Sequence, residues 1–412
     1  MAQENDITHC RIPEDAAARW QVVRDVVAGD QALRNTRYLP ALNKADTSTQ
    51  NIDRNAAYQL RAVLYPATGF TLAGLLGLAF RHDPTTELPA RLEYLLADTD
   101  GAGVSIYQQS KAALANVLGP GRHGLYTDFS STLQRPVIKA YRAEDIINWR
   151  ESQVGGKTVR TLVVLREDAE IEAGYAVDTV DQWRELFLDA GVAKCRLWQL
   201  DADKVPQMVR VVDADGRQVF EVVLRSSRAP LDAIPFEFVG SENNDSSIDP
   251  SPLYGLAQVN VAHFRNSADY EDSVFFVGQA QPWMSGLDQE WRDHLEQQGT
   301  VYTGSRSPVL LPAGGQYGFA QPLPNTMVKE AMDQKEAQMV ALGARLIDKG
   351  HAAKTATQAQ GEREAYLDPR DVLRERDRGV SARHRPLRAL SRPRARRFRH
   401  LQAEPGLRDR GE

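Results

Sequence analysis

Alternation and periodicity divide the chain before any motif does. Apolar residues at helical spacing predict helices over Ala16–Ala28 and Thr47–Leu64, because positions three and four apart share one face. In the second, Ile52, Ala56, Leu60 and Val63 form the apolar stripe, and Pro66 ends the pattern. Ser105–Leu118 repeats it with Ile106, Ser110, Leu114 and Val117. The run Gly69–Phe80 is apolar over about twelve residues, too short to span a bilayer, and predicts a buried helix or helix–strand element. β-branched or alternating runs then predict strands over Val137–Tyr141, Thr158–Leu165, Cys195–Leu200, Met208–Asp213 and Val219–Leu224. The Ala214–Gly216 triplet, ADG, supplies a hairpin turn.

A different pattern begins at Ile234. Ile234–Val239 reads as a buried strand closed by Gly240, and Ser241–Pro250 as a loop of Asn, Asp and Ser, which bond their own backbone. Pro252 suits a first helical turn. The long helix that follows carries Leu253, Leu256, Asn260, His263, Ser267, Tyr270 and Val274 at helical spacing. That stripe is half polar, as on a helix packed against neighbours without full burial. Gln279–Pro324 changes to a small β-rich module with one short helix, Asp288–Gln297. Asn325 then N-caps a second long helix. Its face is Val328, Ala331, Met332, Met339, Leu342, Leu346 and Ile347, interrupted by Lys335. The fold class is α+β.

Several of these pieces, in this order, resemble the portal proteins of tailed bacteriophages, in particular a phage-encoded subfamily formerly catalogued as a domain of unknown function. The pieces are YRAEDIINWR (Tyr141–Arg150), IPFEFVG, PLYGLAQVNVAHFRNSADYEDSVFFVG and QMVALGARLI (Gln338–Ile347). The resemblance runs from about Arg37 to Arg363. It implies an α+β wing (1–240), a first stem helix (251–278), a β-rich clip (279–324), a second stem helix with its following segment (325–366), and an irregular tail (367–412).

It further implies a non-enzymatic virion protein at the capsid vertex, folded in the bacterial cytoplasm. About twelve copies would form a ring that passes double-stranded DNA without sequence specificity. Terminase, the head–tail connector and capsid or scaffold proteins would be its partners, with no membrane and no cofactor. Asn260, His263, Ser267, Tyr270, Val328, Met332, Lys335 and Met339 become candidates for the channel wall or subunit interface. Trp283, Trp291 and Tyr302 become candidates for clip contacts.

Charge qualifies this picture. The net charge of −5 conceals a tail from Asp368 with fourteen arginines against seven acids, a balance of +7 that leaves −12 elsewhere. An acidic body suits a slippery conduit, since phosphate neutralisation by Lys and Arg gives tight, salt-dependent binding. The tail lacks Lys, Ile, Tyr and Asn, the composition expected when a GC-rich gene is read out of frame; a genuine arginine-rich arm is the alternative. Portals continue after the second stem helix into a channel loop and a returning helix, and here this tail stands in that place.

Other chemistry has weak sequence support. GPGRHG (Gly119–Gly124) matches a dinucleotide fingerprint formally, but it follows a helix and leads into a strand, the reverse of what that site needs. No Walker-type phosphate loop, H-E-x-x-H or Cys/His cluster occurs. A metal-dependent nuclease would need its carboxylates to converge. The candidates are Asp98/Asp100, Glu144/Asp145, Asp201/Asp203 and Asn243/Asn244/Asp245, all on predicted loops. That enzyme, and a nucleic-acid-binding protein acting through the tail, are the alternative functions. Cys10 and Cys195 have no disulfide-framework spacing, and the N-terminus has no signal-peptide pattern. Hydrophobic content of 42% and charged content of 25% are ordinary for a soluble protein.

Overall fold

The computed structural model describes residues 6–82, 84–213, 216–226, 229–298, 311–320 and 326–347. The fold is mixed α+β, and its contacts divide into two compact units. The first takes Met1–Val23 and Leu72–Tyr254; the second takes Arg24–Thr71 and Gly255–Asp348. The stretch 24–71 falls in the same unit as the two long helices.

Eight helices are described: α1 (Glu14–Ala28), α2 (Asp30–Leu33), α3 (Thr49–Arg61), α4 (Ala67–Ala79), α5 (Ile106–Leu118), α6 (Tyr254–Val277), α7 (Gln289–Gln298) and α8 (Thr326–Ile347). The strands are β1 (Arg122–Ser130), β2 (Arg135–Arg142), β3 (Ile146–Val154), β4 (Lys157–Ala173), β5 (Ala176–Asp189), β6 (Val192–Leu200) and β7 (Pro206–Val209). Short strands follow, β8 (Val211–Val212), β9 (Gln218–Val219), β10 (Val222–Val223), β11 (Arg225–Ser226) and β12 (Ala229–Pro230), then β13 (Phe236–Gly240), β14 (Gln281–Ser285) and β15 (Gln316–Ala320).

In the first unit, β13-β1-β2 form an antiparallel three-stranded sheet, and β10-β6-β5-β4-β3, with β7 also on β6, form a second. The second sheet is a meander built on tight turns. Gly155–Gly156 and Ala190–Gly191 both have positive φ, and Gly174 opens the β4–β5 turn at φ 68°. Such turns match the twist of the strands they join. The core holds Tyr126, Tyr141, Ile146, Trp149, Val163, Leu165, Leu186, Phe236 and Phe238. Gly124 in β1 makes this packing possible: a Cβ there would lie 2.6 Å from Phe236 Cζ and 2.8 Å from Ile146 Cδ1. Helix α5 packs on β1, β2 and β13. Its start is fixed by a capping box, in which Ser105 accepts from the Gln108 N–H and Gln108 accepts from the Ser105 N–H.

The sequence-predicted strands differ from these at several places, and β3 (Ile146–Val154) falls where no strand was expected. Met208–Asp213 is broken into β7 and β8, and Val219–Leu224 into β9 and β10. β5 lies in a stretch for which no strand was predicted: Trp183–Leu188 mixes charges and large apolar residues without strict alternation. The ADG turn is flanked by paired strands, with Val212 opposite Gln218; Ala214 and Asp215 themselves lie outside the described residues. Gly119 closes α5 by donating to the Ala115 carbonyl, so the GPGRHG segment is a helix end and strand entry.

Candidate ring-wall helices

The loop before α6 is locked within the first unit. Asp249 accepts from the Glu242 and Asn243 N–H groups, and Ser241 donates to the Pro250 carbonyl. Gly121 is required here: it has φ 89°, and a Cβ would lie 2.5 Å from the Pro250 carbonyl oxygen. Arg122, buried, donates to the Ser246 and Ser247 carbonyls and stacks between Trp149 and Phe238, 4.1 and 4.2 Å from their ring centres. Burial lowers its pKa, while Asp249 and Asp245 act against that shift.

In the second unit, α6 contacts both α3 and α8. On one side Tyr58 donates to Asp269 at 2.6 Å, and Arg54 and Arg61 bind Asp272 at 2.5 and 2.9 Å. Ser267 accepts from the Val63 N–H at 2.9 Å. Asn260 accepts from both the N–H and the hydroxyl of Thr68 and donates to the Tyr65 carbonyl. On the face of α6 that also carries Asn260 and Ser267, His263 Nε2 lies 3.2 Å from Glu336 of α8, and Tyr270, Ser273, Val274 and Val277 share a groove of about 290 Å³ with Thr326 and Lys329. As α6 runs from 263 to 277, its neighbours on α8 fall from 336 to 326. The two long helices are therefore side by side and antiparallel. Met339 is buried, and Gly343 sits where a Cβ would meet Thr71 Oγ1 at 2.9 Å.

The expected contact residues fall into distinct groups. Asn260, His263, Ser267 and Met339 are buried inside the unit, the first three in the polar contacts just given. Asn260, His263 and Ser267 make these contacts with residues of the same chain. A half-polar stripe looks the same from sequence whether its polar groups meet a neighbour helix of the same chain or another subunit. Tyr270, Val328, Met332 and Lys335 are half-exposed. Trp283 is exposed on β14, opposite Gly318 of β15, whose missing side chain leaves room for the indole. Trp291 is half-exposed on α7, its ring 5.5 Å from that of His294. Tyr302, the N-cap Asn325 and the arginine-rich tail lie outside the described residues.

Sequence reasoning missed the residues that hold α6 from the far side, Arg54, Tyr58 and Arg61. Their spacing of four and three was a usable signal, hidden by the louder apolar stripe on the same helix.

The paired acids build loops. Asp98 accepts from the Gly101 and Gly103 N–H groups and pairs with Arg135. Asp201 accepts from the Asp203 and Val205 N–H groups, and Asp145 pairs with Arg142 and Arg166. Among the described residues no group of three or more His, Cys, Asp or Glu could hold a metal ion. A densely charged cluster lies in the first unit. Glu167 accepts from Tyr141 and binds Arg184 at 2.7 Å, with Asp128 3.8 Å from Arg184. Burial pushes Glu167 up, but the charge and hydrogen bond of Arg184 and the Tyr141 hydroxyl outweigh it, so its pKa is lowered. Burial pushes the neighbouring Cys195 thiol up to about 11, which leaves it protonated and inert. No helix among the described residues is long and apolar enough to cross a membrane.

Residues 252–367, the stretch holding α6 to α8, match the family described as Domain of unknown function (DUF4055). No curated protein matches the chain. Among solved structures, the chain is similar to one from the "Virion of native gene transfer agent (GTA) particle", at 14% identity and TM-score 0.39, covering 79% of this chain and 77% of that one. It is also similar to a chain from the "Neck of native GTA particle computed with C12 symmetry", at 15% identity and TM-score 0.39, covering 79% and 78%. A third, from the "Neck of empty GTA particle computed with C6 symmetry", has 15% identity and TM-score 0.38, covering 78% and 77%. At those TM-scores the likeness carries neither fold nor function across.

Proposed function

We propose that this chain is a structural subunit of a phage-like particle, a portal-type protein that forms a ring of about twelve copies at one capsid vertex. The observation that carries the reading is the antiparallel pair α6 and α8 within one unit, with the β14–β15 pair and α7 between them in sequence. That is the order helix, small β module, helix that the portal resemblance implies for stem, clip and second stem. The helices form the channel wall, and the β14–β15 module, with Trp283 and Trp291 at its surface, is the face offered to terminase and the head–tail connector. DNA passes without sequence-specific contact, and the protein performs no catalysis. The loop-building roles of Asp98, Asp145 and Asp201 favour this reading over the nuclease.

Negative-stain electron microscopy of the purified full chain tests the proposal. Ring-shaped particles with a central opening are the expected result. A field of single-subunit particles across the accessible concentration range would overturn it.

A further inference from the structure

The two larger sheets of the first unit leave a cavity of about 880 Å³ between β1 and the β5–β6–β10 side of the meander, a size that holds a small molecule. Register shows which side chains face it. Arg184 of β5 stands opposite Leu197 of β6, and Cys195 of β6 opposite Val222 of β10. Residues opposite each other, or two apart along a strand, share a face. All four line the cavity, with Tyr126 and Asp128 of β1 on the side of the other sheet. The bottom is buried: Tyr126 is 0% exposed and Cys195 6%. There Arg184 gives Nε and Nη2 to Glu167, at 2.7 and 3.1 Å. Its Nη1 keeps only long contacts, 3.7 Å to the Cys195 sulfur and 3.8 Å to Asp128. Asp128 is itself held by Lys139 at 3.0 Å. The charges at the bottom are therefore matched among themselves.

Above the bottom the wall is aliphatic, with Leu197, Val222, Val223, Leu224 and Leu231. At the mouth, Arg91 of the 3-10 turn Ala90–Leu96 is exposed and enters no ion pair among the described residues. An aliphatic chamber with an unpaired guanidinium at its mouth is complementary to an apolar body that carries one negative charge. A peptide strand is the other occupant to weigh, and β1 is closed to it. The pairing of β13 with β1 ends at Tyr126, and the Thr127 N–H then donates to the Pro235 carbonyl. Backbone groups alternate sides along a strand, so the next donor on that side is the Phe129 N–H. It is already bonded to the Asp128 carboxylate at 2.9 Å. An added strand finds no free donor there.

We propose that this cavity is a binding site for a small amphipathic anion. Its apolar body lies against Leu197 and Val222, and its carboxylate or sulfonate pairs with Arg91 at the mouth. The site stands on the first unit alone and does not depend on the ring reading.

Fluorescence titration of the full chain with the dye 8-anilinonaphthalene-1-sulfonate, itself an apolar body with a sulfonate, tests it. The dye should bind saturably. Decanoate should displace it, and decyltrimethylammonium, the same chain length with a positive head, should compete at least tenfold less well. Leu197→Trp fills the chamber and should weaken dye and decanoate binding at least tenfold while the melting temperature holds. Arg91→Glu changes an exposed residue, so it keeps the test decisive if the tryptophan variant does not fold. It should weaken decanoate at least fivefold and reverse the preference towards decyltrimethylammonium. Equal dye binding by the parent and the folded variants would overturn the proposal, since the dye would then sit elsewhere on the chain. Equal displacement by the two heads would overturn it as well, and so would a parent chain that binds neither dye nor decanoate.

Discussion

Asn260 shows how one polar residue sets the position of a helix. It satisfies the Thr68 N–H, the Thr68 hydroxyl and the Tyr65 carbonyl from a fully buried site. Asn260→Ala leaves those groups without partners, so a stability loss of about 1–3 kcal/mol in urea denaturation is expected; an unchanged midpoint would contradict the packing described. Arg184 plays the matching part among the strands. Arg184→Met leaves Glu167 buried and unpaired, and the expected cost is about 3–5 kcal/mol near neutral pH. The pH dependence has a definite sign. The folded pKa of Glu167 is held below its usual value, so its contribution is present above the ordinary glutamate range and fades as pH falls through the folded value. Thermal melts of the native chain should therefore lose stability on the acid side. The variant should lose less there, because its glutamate no longer has a cationic partner.

At the scale of elements, sequence and structure agree where the signal is local. The helix expected over Ser105–Leu118 is α5, Ile106–Leu118, and the structure adds the capping box of Ser105 and Gln108. The two long helices were legible from their periodicity, within a few residues, and the strands flanking the expected ADG turn pair with each other. Periodicity tells which residues share a face but not which face turns inward. That is why the α3 stripe could be read correctly as a stripe and still prove to be exposed, and why Asn260, His263 and Ser267 could be placed on one face without showing that they are buried. The strand β5 was missed because its pairing with β4 and β6, a long-range effect, overrides an ambiguous local pattern. One prediction belongs here. Asp272 accepts from both Arg54 and Arg61 across two helices, so Asp272→Ala should loosen α3 selectively. Hydrogen exchange at Ala56–Arg61 should speed up, while α5 amides keep their protection; equal change in both would count against a local role.

At the scale of the whole molecule, the central claim is that a chain with an antiparallel α6–α8 pair, flanked by α3 with its apolar side outward, is one segment of a closed ring. Ile52, Leu60 and Val63 on that side are exposed. Native mass spectrometry of the full chain at low ionic strength tests this most directly. A dominant closed species of about twelve subunits, with no series of open intermediates at equilibrium, is the predicted result. A well-folded monomer as the sole species at every concentration would contradict it.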